Sequence, residues 1–264
     1  MPMNDLLKIM SRLRDPKKGC PWDIEQTFET IAHYTIEEAY EVCEAITNND
    51  HNSLRDELGD LLLQIAFHSK IAEELKLFCF EDVVESICKK MVERHPHVFG
   101  DTKIETANEQ LASWEDIKAK EREIRSENPL EPLSALDGVS VAYPALLRAE
   151  KLQKRAARVG FDWKETRPVL NKLDEEVSEL KEVFNSNSDR VRLEEELGDI
   201  LFTCVNIARH INIDPEAALH KANKKFTQRF QRVEALLKEE MNIKPENADF
   251  TELEKRWTQA KKIK

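Results

Sequence analysis

The chain contains one pattern twice, and this limits its architecture more than any other feature. Glu57-Leu58-Gly59-Asp60-Leu61 returns 139 residues later as Glu196-Leu197-Gly198-Asp199-Ile200. Upstream, Glu37-Glu38-Ala39-Tyr40-Glu41 matches Glu175-Glu176-Val177-Ser178-Glu179, and Gly19-x-x-Trp22 matches Gly160-x-x-Trp163. Downstream, Lys90 and Arg94 correspond to Lys225 and Arg229, and Trp114-x-x-x-Lys118 to Trp257-x-x-x-Lys261. Solenoid units repeat at roughly 20 to 50 residues, so this longer period indicates duplication of a compact domain. Helical periodicity fails between Ser126 and Leu136, around Pro129 and Pro132. The sequence therefore predicts an N-terminal domain over 1–125, a linker over 126–136 and a C-terminal domain over 137–264.

Within each copy the apolar residues recur at helical spacing. Leu54, Leu58, Leu61, Leu62, Ile65 and Ala66 form one stripe, and Leu193, Leu197, Ile200, Leu201, Cys204 and Val205 form its counterpart. The segments before them carry Ala39, Val42 and Ile46, and Val177, Leu180 and Phe184. Polar residues over Asn48–Asn52 and Asn185–Asp189 leave only a short connection, which predicts an antiparallel αα-hairpin in each half. No period-2 strand pattern stands out. With 6 glycines in 264 residues and no GxGxxG or GxxxxGK[ST] loop, hairpin-rich β folds and glycine-loop nucleotide folds are disfavoured. The expected fold class is all-α.

The chemistry lies in where the acids fall. Glu38 and Glu41 are three apart and share one helix face, as do Glu57 and Asp60 on the next helix. The second copy offers Glu176, Glu179, Glu196 and Asp199. Each acid precedes an apolar position expected in the helix seam, so four carboxylates should converge in each half. Four such charges resist ionising together unless a cation compensates them. Oxygen ligands point to Mg²⁺, with Mn²⁺ able to substitute. A di-iron centre of the ferritin type needs Glu-x-x-His pairs, and neither half has one at these acids. A lone ExxE would be an ordinary solvated helix face; ExxE followed by ExxD, twice at matched offsets, is not. Gly59 and Gly198 interrupt the acidic helices at a cost of about 1 kcal/mol relative to Ala, so close approach of another helix or a phosphate is expected beside them.

A net charge of −11 argues against general affinity for nucleic acid or anionic membranes. The eight proposed ligands account for most of it, leaving −3, so the acidity is concentrated where cations would bind. Five scattered cysteines without a CxxC pair suggest a reducing, cytoplasmic setting. No run is apolar enough to span a bilayer. His95-Pro96-His97 lacks a third ligand and is read as a structural turn at a helix end.

The runs Gly19-Cys20-Pro21-Trp22-Asp23, Thr35 to Glu41, Glu57 to Leu62, Arg94 to Phe99 and Val159 to Trp163 resemble the MazG family of nucleoside triphosphate pyrophosphohydrolases. The resemblance spans essentially the whole chain. It implies tandem MazG-type helical domains, antiparallel bundles completed by dimerisation, and Mg²⁺-dependent hydrolysis of NTPs and dNTPs to monophosphate and pyrophosphate. It also implies that Glu176, Glu179, Glu196 and Asp199 are metal ligands, with Glu38, Glu41, Glu57 and Asp60 as the N-terminal equivalents. Glu175 and Glu195 become candidates for handling the attacking water's proton. Lys172, Arg192, Lys225, Arg229 and Trp257 match the family's nucleotide contacts. Lys225 and Arg229 are four apart on one helical face, a spacing that suits phosphate. Because Lys172 corresponds to Tyr34 and Arg192 to Ser53, the C-terminal half is expected to be the better catalyst. The alternatives are a non-catalytic helical dimer that senses nucleotides or binds a protein, and an enzyme of the same scaffold restricted to a substrate such as dUTP.

Overall fold

A computed structural model describes residues 2–101, 134–185 and 190–262, together with residues 104, 106, 109, 110, 113, 114 and 117. Lys118, most of the expected linker 126–136 and most of the Asn185–Asp189 connection lie outside the described residues. Two compact units, Met1–Glu121 and Arg122–Lys264, divide the chain. Among the described residues the regular structure is helical, with no strand.

The first unit holds α1 (Pro2–Leu13), α2 (Pro21–Glu25), α3 (Phe28–Asn48), α4 (His51–Glu74), α5 (Phe80–Glu93) and α6 (Pro96–Phe99). Thr27 starts α3 with a capping box to Thr30. Asn49 ends it in the left-handed conformation at φ 55°. Asp50 then caps α4 by accepting from the amides of Asn52 and Ser53 at 3.0 and 3.1 Å, so two residues reverse the chain. Met10, Ile31, Phe67 and Ile71 form the core where α1, α3 and α4 meet. Buried Arg14 fastens this core, pairing with Glu74 at 2.7 Å and donating to the carbonyls of Asp23 and Gln26. Gly19 follows α1 in a turn where a Cβ would stand 2.2 Å from the Leu13 carbonyl oxygen.

The second unit holds α7 (Ala145–Arg158), α8 (Thr166–Asn185), α9 (Arg190–His210), α10 (Pro215–Met241), a 3₁₀ turn (Pro245–Asn247) and α11 (Phe250–Ala260). Gly160, the partner of Gly19 in the repeat, adopts φ 87° just after α7, which favours glycine for a different reason. Asp162 ties the following loop to the end of α9, accepting from Arg209 at 2.8 Å and lying 3.1 Å from His210 Nε2. Val233, Leu237 and Ala260 join α10 to α11, where buried Arg256 pairs with Glu252 at 2.6 Å and with Glu240.

The predicted stripes need correction. Ala66 and Val205 are buried, but Leu58, Ile65, Leu197, Leu201 and Cys204 are exposed, as are Ile46 and Phe184. Leu201 is 51% exposed and Phe184 74%. Each stripe is wider than the neighbouring described helices cover, so among the described residues the hairpins keep apolar faces open. Close approach of another helix, one of the two expectations at Gly59 and Gly198, is not seen: a Cβ at either would meet nothing within 4 Å among the described residues. His95 behaves as the structural turn expected, with Nδ1 2.6 Å from the Met91 carbonyl and its ring edge-on to Trp114.

Candidate metal centres

The α3–α4 hairpin sets Glu38 and Glu41 of one helix opposite Glu57 and Asp60 of the other. Carboxylate oxygens of Glu38, Glu41 and Glu57 all lie within 4.8 Å of one another. In the α8–α9 hairpin the corresponding trio is Glu176, Glu196 and Asp199, within the same limit. Asp60 and Glu179 fall outside these trios, so the structure gathers three of four predicted ligands per unit. Both still act on the group. Partial burial first, then the charges of Asp60 and Glu41, holds Glu38 above the usual carboxylate range. Burial followed by Glu41 and Asp60 does the same to Glu57. Glu179 is raised by burial and by Glu176, against a smaller opposing pull from Lys172.

The two centres differ in their counter-charge. Glu176 is only 5% exposed, an unusual position for a carboxylate. Lys172 compensates it, with Nζ 2.8 Å from Glu176 and 2.6 Å from Glu175. These contacts, Glu175 first, push the Lys172 ammonium's pKa upward. The predicted phosphate ligand is thus engaged with the acidic cluster. The signal was present in the sequence, because Lys172 stands three and four residues before these acids on one helix face. In the first unit Tyr34 takes the matched position and packs against the apolar core, and among the described residues no lysine pairs with that trio.

The other candidates sit farther out. Glu175 and Glu195 are exposed beside the second trio. Arg192 is exposed in the first turn of α9, and Lys225 and Arg229 lie one turn apart on α10. None of these three cations forms an ion pair among the described residues. Trp257 is half-buried against the α10–α11 core and packs on Phe226, the neighbour of Lys225, with ring centroids 5.3 Å apart. The structure therefore brings Trp257 to the Lys225–Arg229 helix, but no ion pair links that helix to the trio.

The donors suit a hard divalent ion. They are oxygen only, and two ligands about 2.1 Å from one Mg²⁺ are at most about 4.2 Å apart. Closing from 4.8 Å needs only a small side-chain adjustment.

The model of the MazG nucleotide pyrophosphohydrolase domain matches residues 26–99 and again 165–234. The chain belongs to the MazG family. Each matched stretch contains one acidic hairpin, whereas Trp257 lies beyond the second. The chain is 47% identical over 258 residues to the nucleoside triphosphate pyrophosphohydrolase of Escherichia coli (strain K12), covering 97% of this chain and 96% of that protein. It is 41% identical over 257 residues to the nucleoside triphosphate pyrophosphohydrolase/pyrophosphatase MazG of Thermotoga maritima, covering 97% and 94%. It is 43% identical over 253 residues to YabN of Bacillus subtilis (strain 168), covering 96% of this chain and 50% of that protein. As a MazG protein the chain is a hydrolase of anhydride bonds. No helix among its described residues is long and apolar enough to cross a membrane.

Proposed function

We propose that the chain is a Mg²⁺-dependent nucleoside triphosphate pyrophosphohydrolase that converts NTPs and dNTPs to the monophosphate and pyrophosphate, chiefly in its C-terminal unit. The observation that carries this reading is the buried Glu176 within 4.8 Å of Glu196 and Asp199, in a domain that matches a nucleotide pyrophosphohydrolase model. The relatives named as nucleoside triphosphate pyrophosphohydrolases support the substrate class. Glu176, Glu196 and Asp199, joined by Glu179, would hold the ion; Mn²⁺ satisfies the same donors. Bound there, it supplies Lewis-acid activation of water and charge compensation for the triphosphate.

The chain's own residues do the rest. Glu175 or Glu195, exposed beside the trio, takes the proton from the attacking water as the bond between the α- and β-phosphates breaks. Lys225 and Arg229, free of carboxylate partners among the described residues, neutralise the departing pyrophosphate, and Arg192 holds the remaining phosphate oxygens. Lys172 exchanges its carboxylates for phosphate when a cation arrives, which keeps Glu176 compensated in both states. Trp257, half-buried against Phe226, flanks the nucleotide beside Lys225 and Arg229.

The exposed apolar faces of the hairpins support a homodimer in which a second copy covers Leu58 and Ile65, or Leu197 and Leu201. The deciding experiment incubates the protein with ATP, GTP, CTP, UTP and dUTP, with and without Mg²⁺, and separates the products. Monophosphate and pyrophosphate from several bases is the expected result. Diphosphate and phosphate overturn it, dUTP cleavage alone favours the restricted enzyme, and no product favours the binding module.

A further inference from the structure

Trp-x-x-x-Lys closes both copies of the repeat, as Trp114 to Lys118 and as Trp257 to Lys261. Trp257 flanks the nucleotide in the function proposed above; Lys261 has no part in it. Lys261 is the residue at which α11 ends, four positions after Trp257 and therefore on the same face. Its Nζ lies over the Trp257 ring, 5.7 Å from the centroid. Lys261 is exposed and forms no ion pair among the described residues. Two acids of the same helix pair are already engaged: Glu252 with Lys255 at 3.6 Å and Arg256 at 2.6 Å, and Glu240 with Arg256. An ammonium held by an aromatic face at the surface is held weakly, and a charge-assisted hydrogen bond to phosphate is the stronger interaction.

The ring beneath Lys261 also fixes its place. Trp257 packs on Phe226 at 5.3 Å, and Phe226 stacks nearly parallel on Phe230, with centroids 6.1 Å apart. Phe226 and Phe230 form one row along α10, and Lys225 and Arg229, each one residue earlier, form the row beside it. The aromatic row is open to solvent, Phe226 being 58% exposed and Phe230 38%. Through Trp257, α11 therefore adds a third cation to the surface where α10 presents two. The first unit joins the same two elements with other residues: Met91 and His95 stand at the positions of Phe226 and Phe230, and Trp114 meets His95 at 5.2 Å.

We propose that Lys261 is a further substrate-contact residue, which turns from the Trp257 ring to the phosphate chain and binds the departing pyrophosphate together with Lys225 and Arg229. The inference rests on the nucleotide chemistry proposed above for the C-terminal unit and adds a residue to it. A lysine suits the task, because its ammonium donates up to three hydrogen bonds from a flexible stem and can follow a group as it leaves. A cation at the end of a helix also favours the helix dipole. That role alone predicts a lower melting temperature and unchanged ligand affinity, whereas contact with the leaving group predicts a loss confined to ligands that contain pyrophosphate.

The test titrates pyrophosphate and AMP as inhibitors of ATP hydrolysis by the full chain, with Mg²⁺ in excess over all phosphates. Three proteins are compared: unaltered, Lys261→Met and Lys261→Arg. Methionine keeps an apolar stem on Trp257 and removes the charge; arginine keeps the charge. In Lys261→Met, pyrophosphate inhibition should weaken about ten-fold while AMP inhibition stays within about two-fold, and Lys261→Arg should recover most of the loss. Lys261→Gln repeats the comparison if the methionine variant melts early. Pyrophosphate that fails to inhibit the unaltered chain, inhibition unchanged by the loss of the charge, or an equal loss for AMP and pyrophosphate overturns the proposal. An unaltered chain that releases no pyrophosphate from any nucleotide overturns the reading beneath it, whereas hydrolysis with unchanged pyrophosphate inhibition in Lys261→Met refutes this inference alone.

Discussion

Glu176→Gln separates a metal ligand from a structural acid, because the two roles predict opposite effects. In the metal-free protein, Glu176 lies within 4.8 Å of two other carboxylates. At an effective dielectric constant of 20 each such repulsion is about 3.5 kcal/mol, so the pair together opposes folding by about 7 kcal/mol. The Lys172 ammonium at 2.8 Å returns about 6 kcal/mol on the same scale. Removing the Glu176 charge therefore changes apo stability by about 1 kcal/mol, in favour of glutamine, and Lys172 keeps Glu175 as partner at 2.6 Å. The melting temperature should stay level or rise by about 2 to 4 °C. Activity should move the other way. Loss of outer-shell partners already costs metal sites about 10- to 100-fold, and loss of a buried anionic ligand should lower kcat/KM at least 100-fold. The assay pairs pyrophosphate release across a Mg²⁺ titration with thermal melts in EDTA. Full activity in the variant would refute the ligand assignment; a collapse of the apo melting temperature would refute the electrostatic balance.

Other substitutions probe separate parts of the molecule. Lys172→Met leaves Glu176 buried without its counter-charge, so the apo protein should lose about 2 kcal/mol, below the usual buried-pair penalty because Lys172 is one-third exposed; Mg²⁺ should restore the melting temperature. Gly19→Ala should destabilise the first unit, because its Cβ meets backbone at 2.2 Å, whereas Gly59→Ala and Gly198→Ala should stabilise by about 0.5 to 1 kcal/mol in denaturant titrations, since their Cβ atoms meet nothing. A Gly198→Ala protein that is more stable but slower would show that substrate or a second copy needs that space. Asp162 is held below its ordinary range, first by the Arg209 hydrogen bond. Its stabilisation is complete above about pH 4 and is lost as pH falls through the folded value, so melts of Asp162→Asn should differ most from wild type near pH 7 and converge in acid.

The hairpins and their acids were legible because both follow from one period: residues three apart share a helix face, and a short polar connection forces the next helix to return alongside. Asn49 in the left-handed conformation and Asp50 as cap supply the local chemistry that the composition of that connection implied. Burial was less legible. An apolar residue reads the same whether its own chain or another covers it, so Leu58 and Leu201 were placed in apolar stripes that the described residues leave exposed.

The same limit explains the difference between the two units. Matching acids made the centres look alike, but neighbouring positions set what each can do with them. Lys172 gives the second trio an internal cation, paired with buried Glu176 at 2.8 Å and with Glu175 at 2.6 Å. Tyr34 gives the first trio no such charge, and Glu38 and Glu57 are held above the usual carboxylate range, by burial first and then by neighbouring carboxylates. The tyrosine instead helps to wall a small cavity against the apolar core. Matching acids combined with unlike neighbours fit a duplication whose copies diverged around a shared acidic hairpin.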